Sequence, residues 1–103
     1  MKAVFKYVIP VVDEFTMEMP KGAQILTVQA QRGVPCIWAL VDPEMENEER
    51  SFVMRGTGHP IDDNMVPFLN YVGTMQMMEG TLIWHLFEKW KVMPAKPLVG
   101  RVP

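Results

Sequence analysis

The chain has 103 residues, 49% of them hydrophobic and 21% charged, which is the size of one domain with one core. Ten Lys+Arg against twelve Asp+Glu leave a formal charge of −2. These totals exclude collagen-like, disordered, disulfide-dense and strongly basic classes, and they disfavour nucleic acid as a partner, because phosphate binding needs a clustered basic face.

Short runs of β-branched and aromatic residues, cut by Gly, Pro and Asp, dominate the chain. Ala3–Ile9 reads as a first strand, closed by Pro10, which cannot donate to a ladder. Phe15, Met17 and Met19 alternate with Thr16 and Glu18, so Glu14–Met19 is a second, half-buried strand. Pro20-Lys21-Gly22 is a turn by composition. A β-hairpin over 23–41 follows. Its first arm places Leu26, Val28 and Ala30 on one face, and Arg32-Gly33 turns the chain. Its second arm is apolar on both sides: Cys36, Trp38 and Leu40 against Ile37, Ala39 and Val41. That pattern suits a central strand covered on both faces.

The acidic run 42–49 is expected to be a loop and Ser51–Arg55 a short strand. Gly56–Pro60 is an irregular segment, and Ile61–Phe68 has room for one helical turn, with Asp62 or Asp63 near its start and Pro67 limiting its length. A second hairpin joins Tyr71–Met77 to Leu82–Phe87 through Met78-Glu79-Gly80. The consecutive Met77 and Met78 would face opposite ways on a regular strand. From Lys91 to Pro103 the composition turns to Lys, Pro and Val, the signature of a basic tail outside the core.

The expected fold is therefore all-β: one compact antiparallel sandwich or small barrel of about seven short strands over 1–90, with at most one helical turn. No internal repeat is visible. A free edge strand needs cover, and a homodimer is one way to supply it. The longest uncharged stretch, Asn64–Met78, is too short and too polar for a bilayer core, and no export-signal pattern is present. The lone Cys36 suits a reducing cytoplasm.

Two regions are candidate sites. In the first, Gly56, Thr57, Gly58 and His59 combine permissive backbone with a group that titrates near neutrality, and Asp62 and Asp63 follow closely. A turn with an aspartate cap accounts for the same residues. The Gly-x-Gly spacing lacks the third glycine and long helix of a nucleotide site. In the second, Glu44, Glu46 and Glu48 form an acidic contact surface, or simply a solvated one. His85, between Ile83 and Phe87, is expected to be a hydrogen-bonded, partly buried side chain, and Cys36 to be core filler. No spacing specifies a metal or cofactor site.

Lys6-Tyr7 with Ile9-Pro10, Asp13–Phe15, Met19–Ala23, Val28-Gln29, Gln31–Cys36, Trp38–Val41, Gly56–Pro60 and Tyr71–Thr74, in that order, resemble a family of small uncharacterised proteins encoded by phages and prophages. The resemblance covers roughly residues 3–88 and implies a phage accessory protein in a bacterial cytoplasm. Such a context suggests a non-enzymatic binding protein acting on a host or phage protein, for instance against a defence system. The competing expectation is a small enzyme or small-molecule-binding protein using Gly56–Asp63, with His59, Asp62 and Asp63 as its titrating groups.

Overall fold

The computed structural model describes residues 1–91. Seven strands, β1 (Ala3–Val8), β2 (Glu14–Pro20), β3 (Gln24–Gln31), β4 (Val34–Val41), β5 (Asn47–Gly56), β6 (Leu69–Met77) and β7 (Leu82–Lys89), form two antiparallel sheets of order β1-β4-β3 and β2-β5-β7-β6. One short 3-10 turn, Val66–Phe68, precedes β6. The all-β expectation holds. The tail expected over 91–103 lies, beyond Lys91, outside the described residues.

The core lies between the sheets. Ile37, Ala39 and Val41 of β4 meet Phe52 and Met54 of β5, Leu86 of β7, Met75 of β6 and Met19 of β2. Phe15 and Phe52 stack at 5.2 Å. Burying such side chains is worth about 1.5–3 kcal/mol each before entropic costs, so this cluster dominates stability. Burial pushes the Tyr7 phenol, packed against the same cluster, above its ordinary value of 10.0.

The hairpins form for local reasons. At the β3–β4 turn Arg32 and Gly33 both have positive φ, 51° and 78°, the conformation of a tight two-residue hairpin loop. At the β6–β7 turn Met78, Glu79 and Gly80 all lie in the left-handed region. Met78 therefore leaves the strand and is exposed, and the opposite-face expectation for Met77 and Met78 does not arise.

Several expectations are corrected. The acidic run is not all loop: β5 begins at Asn47, so Glu48 and Glu49 pair with Met19 and Glu18 of β2. Polar side chains hid this start, because long residues at a sandwich end reach water from within a ladder. Leu26 does not share the buried face of Val28. A bulge between Ile25 and Thr27 turns it outward, and Ile25 takes its place against the core. The Trp38–Leu40 face of β4 is only half-buried, not covered by a further layer among the described residues. The second hairpin is longer than expected at both outer ends, starting at Leu69 and ending at Lys89.

Because β7 lies between β5 and β6, those two strands run parallel, and residues 57–68 must return from one end of the sheet to the other. The return is tied to the outer side of the sheet. Arg55 Nε donates to the Pro60 carbonyl at 3.3 Å, and Trp90 N donates to the Phe68 carbonyl at 2.8 Å.

Candidate functional site

The residues singled out in the sequence separate into three places. Gly56 closes β5, and Gly56–His59 is a tight turn, with His59 N donating to the Gly56 carbonyl at 3.0 Å and Gly58 at φ 87°. The His59 ring lies against Gly56, where an added Cβ would come within 2.9 Å of it. The same ring stands edge-on to Trp84 at 6.4 Å. Asp62 and Asp63 are exposed and do not converge with His59. Asp62 instead holds the return segment: its carboxylate accepts from Asn64 N at 2.8 Å and its carbonyl from Met65 N at 2.9 Å. This is an Asx-type turn rather than the expected helix cap, since the 3-10 turn Val66–Phe68 has Met65 at its start with no side-chain cap.

Thr57 is the member of the segment with a chemical partner, and that partner is His85. Thr57 Oγ1 is 2.7 Å from His85 Nε2, and Thr74 Oγ1 is 2.9 Å from His85 Nδ1. Tyr71 Oη closes the row on Thr74 Oγ1. The register explains the meeting: Thr74 pairs directly with His85 across β6 and β7. Tyr71, edge-on to Phe87 at 5.7 Å, joins the row from beyond the bulge at Val72. A neutral imidazole donates from one nitrogen and accepts at the other, so hydroxyls on both sides satisfy it fully. Beside this row is a recess of about 270 Å³ lined by Gly56, Thr57, His59, Thr81, Leu82, Ile83 and Trp84. His85 was legible as hydrogen-bonded, but Thr74 and Tyr71 were not recognised. Their signal was the spacing of polar groups on facing arms of the hairpin.

The acidic residues also divide. Glu44 and Glu46 are exposed at the β4–β5 turn, which the Asp42 carboxylate braces by accepting from Glu44 N at 3.1 Å. Glu48 works internally, accepting from Gly22 N at 3.0 Å, with Arg50 Nη1 at 3.8 Å. The main charge cluster is one the sequence reading missed. Arg50, inward-facing beside Phe52, forms a two-pronged ion pair with the buried Glu88, Nη2 to Oε1 at 2.9 Å and Nε to Oε2. Its Nη1 donates to the Ala23 carbonyl at 2.9 Å. The bond to Glu88 raises the Arg50 pKa further, partly opposed by burial. This cluster bolts β5 and β7 to the β2–β3 connection and is structural in its geometry. Among the described residues no group of three or more His, Cys, Asp or Glu is placed to hold a metal ion.

The remaining feature is a surface. On the outer side of β4 Val34 is exposed, Cys36 is buried and Trp38 and Leu40 are half-buried, and the register sets Val8, Lys6 and Val4 beside the last three. Val4 and Val8 are 55% and 62% exposed, Leu26 is 48% exposed and Val34 43%. Lys6 lies along this face, its Nζ donating to Gln31 Oε1 at 2.9 Å. The turn bearing Glu44 and Glu46 follows β4 directly, at the Leu40 end. No helix among the described residues is long and apolar enough to cross a membrane.

A family profile described as a domain of unknown function (DUF7352) matches residues 1–96. The chain belongs to this DUF7352 family. No curated protein and no solved structure matches it. The DUF7352 match spans both hairpins, the 57–68 return and the Arg50–Glu88 pair alike.

Proposed function

We propose that the protein is a binding module: a phage or prophage accessory protein that captures a host or phage protein in the bacterial cytoplasm. One observation supports this reading most. Val4, Val8, Val34 and Leu26 stand exposed around the half-buried Trp38 and Leu40, on one side of the β1-β4-β3 sheet. Scattered apolar side chains need no explanation, but a group of them on a single rigid face favours contact with a partner. Glu44 and Glu46 at one end add a charged rim that selects for a basic counterpart.

The test is capture from host lysate by the tagged full chain, compared with two double variants, Val4→Lys/Val8→Lys and Glu44→Lys/Glu46→Lys. The expected result is one captured protein whose recovery drops about tenfold or more with the first variant and less with the second, at unchanged melting temperature. Equal recovery by the Val4→Lys/Val8→Lys variant removes the reading. A second reading, chemistry on a small molecule at the 56–63 segment, is favoured by the 2.7 Å approach of Thr57 Oγ1 to His85 Nε2.

A further inference from the structure

We infer that Thr57 is a nucleophile activated by His85, acting on small carboxylic esters held in the adjoining recess; this rests on the second reading and not on capture through the sheet. The arrangement carries the parts such chemistry needs: a hydroxyl, a base within hydrogen-bond reach of it, and a third group that orients the base. Thr57 Oγ1 and His85 Nε2 are 2.7 Å apart, and Thr74 Oγ1 stands 2.9 Å from His85 Nδ1. In the productive tautomer Nδ1–H donates to Thr74 Oγ1, which also accepts from Tyr71 Oη, leaving Nε2 free to accept from Thr57. Thr74 and Tyr71 are positioning residues, since they act through His85. Thr57 is exposed and lines the recess of about 270 Å³ together with Gly56, His59, Thr81, Leu82, Ile83 and Trp84. Leu82, Ile83 and Trp84 among these walls suit a short acyl chain, and among the described residues no carboxylate, lysine or arginine lines the recess to pair with a charged one.

The step balances without a co-reactant other than water. Thr57 Oγ bonds to the ester carbonyl carbon as its proton passes to His85 Nε2. The carbon–oxygen bond to the alcohol then breaks, and the alcohol leaves with that proton. Water, deprotonated by the same nitrogen, cleaves the acyl-threonine and restores the hydroxyl.

An alkyl fluorophosphonate tests this on the full chain, since it loses fluoride to an activated hydroxyl and remains attached. Intact mass and peptide mapping are expected to give one adduct, on Thr57. Thr57→Val abolishes it, and His85→Gln slows it about 100-fold, the scale of a lost general base. Thr57→Ser keeps or speeds it, because the methyl group is removed from the carbon bearing the attacking oxygen. A purely structural row of hydrogen bonds would lower melting temperature in these variants without a labelling difference. No adduct on the wild-type chain, an adduct mapped elsewhere, or equal labelling of His85→Gln overturns the inference. Partner capture by the labelled protein is expected to be unchanged, which separates the two sites.

Discussion

Arg50 shows how one side chain can matter more than its neighbours in sequence suggest. Its guanidinium faces inward from β5, where it meets Glu88 on β7 and the Ala23 carbonyl. Replacing Arg50 with Ala leaves the Glu88 carboxylate buried without its partner. A loss of about 3 kcal/mol is expected, read as a lower urea midpoint. Arg50→Met with Glu88→Leu removes both charges and should restore most of it, since an apolar pair of similar volume avoids the desolvation cost. The pair was half legible: Glu88 shares the face of Leu86 and Trp84, and Arg50 that of Phe52 and Met54. It went unseen because a strand expected to begin at Ser51 excludes Arg50, and alternation alone does not say which charged residues find each other across a sheet.

Two glycines act at the level of the strand and for opposite reasons. Gly33 sits at φ 78°, and a Cβ added there would meet nothing within 4 Å, so its role is conformational. Gly33→Ala should cost about 1 kcal/mol through backbone strain in the β3–β4 turn. Gly73 has no such φ, but a Cβ there would come within 2.8 Å of Val28 Cγ1. It lies at the β6 bulge, where the two sheets approach through β3 and β6. Gly73→Ala should therefore cost about 1–3 kcal/mol by overpacking. Adding Val28→Ala should recover part of that loss, a non-additivity measurable by chemical denaturation. The Arg32-Gly33 turn was readable from residue type, because glycine announces positive φ. The bulges at Leu26 and Val72 were not, because a one-residue insertion leaves the apolar count of a strand unchanged while reversing which side chain faces inward.

For the whole molecule, one shared core predicts one cooperative transition with a defined alkaline limit. Tyr7 is protonated in both states at neutral pH, and burial raises its folded value above the ordinary 10.0. The unfolded chain therefore ionises first. Stability is full below 10.0 and is lost as pH rises from there through the folded value. Urea midpoints between about pH 8 and about pH 11 should fall at the alkaline end, and those of Tyr7→Phe should fall less. The all-β antiparallel class was legible, because two hairpins and alternating apolar residues leave few other ways to enclose a core. The partial exposure of the Trp38 side was not, since an apolar outer face and an apolar inner face look alike until the number of layers is known.

The placement of β7 between β5 and β6 also bears on biosynthesis. During translation, the backbone edge of β5 that β7 will occupy stays unsatisfied until residues 82–89 have left the ribosome. Nascent chains stalled before that point should offer Phe52 and Met54 to chaperones, and a messenger truncated there should yield an aggregating product rather than a smaller working one.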